Sequence, residues 1–366
     1  MRIGILTLPL HTNYGGILQA YALQTVLEWM GHDVVVIDTP NVKPSPSLMT
    51  LCKRIIKRLL GKHVGVIYEW KHNKEYPIIS QHTQPFVDKY IHRKIVSSPT
   101  ELQEKDFDAI VVGSDQIWRP KYYGKIENAY LSFAKKWNIK RIAYAASFGT
   151  DDWEYTHKQT IECGNLLKMF DAVSVRESSA VNLCKEHFGV DVQHVLDPTM
   201  LLDKEDYIRL IEAANTPKSK GTLLNYILDE TPEKRTLIEQ IAKDKGLVPF
   251  RVNSRVEDHN APLEERIQPP VEQWLRGFYD AEFVVTDSFH ACVFSILFNK
   301  PFVVIGNKER GMARFNSLLR LFNLESRIIV NFDDFKSLSD TNFSVGDFQE
   351  IQKQSYYFLS KFFANE

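Results

Sequence analysis

No apolar run in this 366-residue chain approaches the ~20 residues needed to cross a bilayer. The first sixteen residues do not read as a secretory leader, because their apolar part is short and broken by Pro9 and His11. Cysteine is scarce. Cys52, Cys163, Cys184 and Cys292 form no C-x-x-C pair, which argues against a disulfide framework or a zinc site and for a reducing compartment. A cytoplasmic protein is expected, with contact at the inner membrane leaflet left open. Neither sign of charge dominates: 45 Lys and Arg stand against 46 Asp and Glu. The basic face with which a nucleic-acid binder displaces counterions is therefore missing. There is no metal-ligand motif, no solenoid-period repeat and no low-complexity tract. No bound metal or cofactor is expected.

What is present is an alternation of short apolar runs with helix-period segments. Length favours about two domains, and 44% hydrophobic residues provide for a large core. "RIGILTL", "HDVVVIDT", "DAIVVGSD", "RIAYAASFG", "DAVSVRES" and "DVQHVLD" read as strands apolar on both faces, as buried parallel strands are. Beyond Pro217 a second series follows, with strands "TLLNYIL", "LVPFRVN", "EFVVTD" and "PFVVIG". The helices between them include "GGILQAYALQTVLEWMG", with apolar residues at three- and four-residue steps, and "SFHACVFSILFNK". This alternation predicts α/β architecture, two doubly wound Rossmann-like domains facing a central cleft. The boundaries fall at 1–200 and 205–344. In such sheets, ligands bind beyond the carboxyl ends of the strands, where strand order reverses.

Five clusters follow strands. After the first come Asn13, Tyr14, Gly15, Gly16 and Gln19, where glycines let backbone N–H groups approach a ligand at a helix N-terminus. The pattern is not G-x-G-x-x-G, so the dinucleotide fingerprint is absent. A plain tight turn with Tyr14 as a packing residue is the alternative. Asp115 and Trp118 follow "VVGS", Trp118 as a stacking face for a sugar, or the whole as an Asx turn. Arg176 comes directly off a strand, either paired with a carboxylate or held for an anion. Asp287, Ser288 and His290 head an otherwise apolar segment, with His290 in the first helical turn near free N–H donors. That arrangement is either a capped helix with a structural histidine or a site in which His290 gives a proton to a bound anion. Lys308, Arg310 and Arg314 surround Gly311 and either close on an anion or are solvated. Separately, residues 51–63 carry Lys53, Arg54, Lys57, Arg58 and Lys62 with no acid, opposite an apolar face. Such a helix either packs on its own domain or lies on an anionic membrane.

The segments "GILTLPLHTNYGGILQAYALQTVLEWMGHDVVVID", "VVGSDQIW", "AYAASFG", "SVRE", "VLDPTMLL" and "VVTDSFHACVFSILFNKPFVV" occur in an order that resembles the polysaccharide pyruvyl transferases, over roughly Ile3 to Asn323. The resemblance implies a GT-B-like fold whose last helix, within 345–366, crosses back to complete the first domain, with acceptor on the first domain and donor on the second. It implies pyruvyl transfer from phosphoenolpyruvate, a co-substrate, to a sugar, with a cyclic ketal formed and phosphate released. The acceptor it implies is part of a capsular or exopolysaccharide unit on a lipid carrier. Arg176 matches a phosphoenolpyruvate contact of the family, and His290 matches its histidine in the late strand-to-helix turn. Ser288 stands where many members carry arginine, a gap that Arg310 or Arg314 would fill. On this reading His290 is the general acid or a phosphate-side donor, and Asp115 and Asn13 orient the acceptor. Neither Asp115 nor Asp287 is singled out as base. Two rivals stay open, a GT-B glycosyltransferase using a nucleotide sugar and a non-catalytic sugar-binding protein.

Overall fold

The computed structural model describes residues 1–39, 42–61, 65–306, 311–338, 343, 345, 346 and 348–363. A seven-stranded parallel sheet is built from β1 (Arg2–Leu6), β2 (Asp33–Asp38), β3 (Arg93–Ile95), β4 (Ala109–Val112), β5 (Lys140–Ala146), β6 (Ala172–Val175) and β7 (Gln193–His194), in the order 3-2-1-4-5-6-7. A five-stranded parallel sheet contains β8 (Leu223–Tyr226), β9 (Pro249–Phe250), β10 (Phe283–Thr286), β11 (Phe302–Ile305) and β12 (Ile328–Ile329), in the order 12-11-10-8-9. Strand order reverses between β1 and β4 in the first sheet and between β8 and β10 in the second. Those are the two places where a doubly wound sheet opens a ligand crevice.

The central strands β4, β6, β10 and β11 are buried along their whole length because each serves two cores. Side chains alternate across a strand. Ile3, Ile5, Val34, Val36, Ala109 and Val111 face one cluster, while Leu6, Ile37, Ile110 and Val112 face another on the far side of the sheet. In the second sheet Val284, Phe302 and Val304 point to the same inner cluster as Ile3. Phe283, Val285 and Val303 point to an outer one. The inner core therefore runs from one domain into the other without a break.

The helix Tyr14–Trp29 lies at that junction and is buried around most of its circumference. Asn13 caps it, its Oδ1 accepting from the Gly16 N–H. Tyr14 stacks on Trp274 of the second domain at 5.4 Å and donates its hydroxyl to the Pro269 carbonyl at 2.8 Å. The final helix, Phe348–Phe363, returns to the first domain: the Ser355 hydroxyl accepts from Leu196 N, and the Phe362 and Phe363 carbonyls bond Lys140 and His32. The segments "DVQHVLD" and "LVPFRVN" shrink to the two-residue edge strands β7 and β9. Short edges limit unwanted pairing.

Candidate functional site

The turn after β1 faces the turns after β8, β9 and β10, and between them opens a cleft of about 940 Å³. Its first-domain wall includes His11, Asn13 and Gly15, together with His72, Glu75 and Tyr76 of the helix Tyr68–Ile79. The second domain contributes Glu230, Arg235, Arg251, Asn253, Ser288 and His290. Burial pushes the His11 imidazole below its ordinary pKa, and Lys43 adds to this against the pull of Asp38 and Asp115.

His290 marks the point where the domains touch. It follows β10, in the first turn of the helix Phe289–Leu297, and its side chain is only 8% exposed. A Cβ on Gly15 would lie 1.9 Å from His290 Nδ1, so glycine is what admits the imidazole against the first helix. On the other side Nε2 stands 3.6 Å from Asp197 Oδ2, too long for a hydrogen bond and close enough for charge attraction. Asp197 is fully buried; its second oxygen accepts from Thr199 N and Oγ1. Arg176 donates to Asp197 at 2.6 Å and to Asp115 at 3.3 Å. Burial alone would raise both carboxyls. Nearby His290 and Arg176 overcome this and hold Asp197 well below the carboxylate range, and for Asp115 the charge of Arg176 leads in lowering the carboxyl below its ordinary value. Behind them the guanidiniums of Arg176 and Arg314 lie over the Phe289 ring at 4.5 and 5.5 Å. Burial and the charge of Arg176 push Arg314 down to about 10, which leaves it cationic at neutral pH.

The structure separates the candidate residues. Asn13, Gly15, Ser288 and His290 line the cleft. Gly16 lies one residue behind, in the same helical turn. Arg176 and Arg314 sit in the core beneath His290 rather than in the cleft, with Asp115 on Arg176. Four residues are corrected. Trp118 is fully buried, stacked on Tyr130 at 4.9 Å with its indole N–H on the Ala129 carbonyl, and offers no face to a sugar. Tyr14 bolts the domains together. Gln19 is buried; its amide donates to Thr7 Oγ1 and the Gly16 carbonyl and accepts from Ser114 N, tying the turn after β4 to the first helix. Asp287 points away from the cleft and receives Leu228 N, Asp229 N and Lys234 Nζ, so its carboxylate splints the turn after β8. Arg310 lies outside the described residues.

Sequence reasoning passed over Asp197, although "VLD" after a strand carries the same strand-end signal as the other clusters. It also missed the cleft-side cations of the second domain. Arg251 pairs with Glu230, while Arg235 makes no ion pair among the described residues. The wall helix was missed as well. Its Tyr68, His72 and Tyr76 recur every four residues, the spacing of one helical face, and His72 stacks on Tyr76 at 5.6 Å.

The model of the family described as polysaccharide pyruvyl transferase matches residues 13–309. No curated protein sequence matches the chain. Among solved structures, UDP-GlcNAc 2-epimerase from Methanocaldococcus jannaschii is similar at 13% identity and a TM-score of 0.50, covering 97% of this chain and 98% of its own. A glycosyltransferase from Rickettsia africae ESF-5 is similar at 12% identity and a TM-score of 0.46, covering 99% and 94%. The two parallel sheets, each with its switch point on a shared cleft, form the two-domain GT-B arrangement.

Proposed function

The chain belongs to the polysaccharide pyruvyl transferase family, and from that premise we propose that it moves the pyruvyl group of phosphoenolpyruvate onto two hydroxyls of a sugar in a polysaccharide precursor, closing a cyclic ketal and releasing phosphate. One observation carries the reading. His290 stands at the cleft floor where both switch points meet, with the anionic Asp197 at 3.6 Å behind it.

The donor is an anion, and the start of the helix Phe289–Leu297 favours anions through its free N–H groups. Arg235 on the same wall supplies positive charge in place of the cation missing at Ser288. Arg176 acts from behind, keeping Asp197 and Asp115 ionised. The imidazolium of His290 gives its proton to the methylene carbon, leaving C2 cationic. One sugar hydroxyl bonds C2 and loses its proton. The C2–O bond to phosphate then breaks, its electron pair leaving with phosphate, and the second hydroxyl closes the ring with loss of its own proton. The sugar lies along the first-domain wall, where Tyr76 and His72 present aromatic surface.

The test is phosphate release from phosphoenolpyruvate against a panel of pyrophosphate-linked sugars. His290→Gln is expected to lower kcat by roughly 10²–10⁴-fold, the range of a positioned general acid. Near wild-type turnover in a folded variant sinks the role. Heat stabilisation by uridine nucleotides, with none by phosphoenolpyruvate, would transfer the reading to a nucleotide-sugar glycosyltransferase. The proposed chemistry uses no metal ion, and turnover is expected to survive EDTA.

A further inference from the structure

The helix Leu48–Leu59 has no buried residue. On a helical wheel Leu48, Met49, Cys52, Ile55, Ile56 and Leu59 occupy one half, with Lys53 and Lys57 at one border and Arg58 at the other. A helix packed on its own domain would turn the apolar half inward. Here it is turned outward: Leu48 and Leu59 are each 81% exposed, Met49 68% and Ile56 56%. The inward edge is held by polar chemistry, a two-armed pair between the Arg54 guanidinium and the Glu69 carboxylate at 2.7 Å on each arm. Ile67 and Trp70 are exposed beside it. No helix among the described residues is long and apolar enough to cross a membrane.

We propose that this face docks on the surface of an anionic lipid bilayer. Leu48, Ile56 and Leu59 enter the acyl boundary, and Lys53, Lys57 and Arg58 meet the headgroups. Trp70 suits the interface, where an aromatic ring with a polar edge is favoured. Charge selects this occupant. There are four cations and no acid between Leu48 and Gly61. A two-fold copy of the same face would therefore set like charges against each other, whereas an anionic bilayer supplies the opposite sign. Glu69 sits on the helix Tyr68–Ile79, whose His72, Glu75 and Tyr76 line the cleft. Docking thus brings the cleft rim to the membrane. Resting on the function proposed above, docking sets the cleft to take its acceptor at the bilayer surface.

Vesicle co-sedimentation of the purified full chain reads the docking itself and does not depend on turnover. The chain is expected to pellet with vesicles of phosphatidylcholine and phosphatidylglycerol, and to stay in the supernatant with phosphatidylcholine alone. Replacing Lys53 and Lys57 by Glu is expected to weaken binding by about fivefold or more per residue. The double variant Ile56→Glu, Leu59→Glu alters two exposed positions, keeps its circular dichroism spectrum and loses the vesicles. The proposal is overturned if wild type fails to pellet with anionic vesicles or if the double variant pellets equally. It is also overturned if lipid-free sedimentation shows a dimer that the double variant dissolves. If phosphoenolpyruvate is not turned over while pelleting persists, the placing of the acceptor falls and the docking stands.

Discussion

At Gly15 one hydrogen atom decides whether two domains fit. A methyl group there would lie 1.9 Å from His290 Nδ1, well inside contact distance, and the atoms it meets belong to a ring that Asp197 and Phe289 surround. Gly15→Ala must therefore displace the imidazole or the helix, and a displacement near 1 Å costs about 10²-fold in turnover. At Gly16 the nearest atoms to an added Cβ are those of Asn13, at 3.6 Å and beyond. Gly16→Ala is expected to keep turnover, and phosphate-release kinetics on the pair separates steric placement from a general intolerance of alanine in the turn. Asp197 carries a second prediction. Its carboxyl titrates near 3.8 when unfolded and well below that when folded. Its contribution to stability is therefore complete above the unfolded value and declines as pH falls toward the folded one. Asp197→Asn breaks a buried pair and is expected to cost about 3–5 kcal/mol at neutral pH. That deficit narrows as acid protonates the wild-type residue. Urea midpoints across the acid range check this; a deficit that does not narrow would contradict it.

Among the elements, legibility followed burial. The central strands of both sheets could be read because they are buried on two faces and so are written as unbroken apolar runs. β3 and β12 were not readable: they are three and two residues long at sheet edges, with too few buried positions to print a pattern. The strand-end rule brought Asn13, Gly15, Ser288 and His290 to the cleft, but it has no means of telling a side chain that leaves the sheet toward ligand from one that turns back into the core. Trp118, Tyr14, Gln19 and Asp287 turned back: Gln19 and Asp287 satisfy backbone N–H groups of the turns after β4 and β8, while Trp118 and Tyr14 donate to carbonyls of distant segments. Arg176 had been balanced between ion pair and ligand, and the pairing is visible only once Asp197, twenty-one residues on, folds beside it. Trp118 makes the distinction measurable. As a core residue, Trp118→Ala is expected to cost about 3–5 kcal/mol while leaving the acceptor KM unchanged. A raised KM with little loss of stability would restore it to the sugar site.

Across the whole molecule, the shared inner core has a thermodynamic consequence. Two Rossmann-like units joined only by a linker would unfold one after the other. Here the cluster containing Ile3, Val36 and Val111 also contains Trp274, Phe294 and Phe302. Polar ties cross at several heights: Tyr14 to Pro269, Gln268 to the Thr12 carbonyl, Arg266 to Glu75 and Ser178 N to Ser317. Opening the domains would expose this apolar surface at roughly 25 cal/mol per Å² and strand those donors, so neither unit is stable alone once the other has melted. Calorimetry of the wild type is expected to give one unfolding transition. Trp274 is fully buried and packs on Tyr14, Tyr226, Phe278 and Phe294. Trp274→Ala removes the shared wedge at a cost of about 3–5 kcal/mol and is expected to lower the transition temperature and split the endotherm in two. Two resolved transitions already in the wild type would show that the cleft is framed by independent domains, and that Gly15 and His290 meet only part of the time.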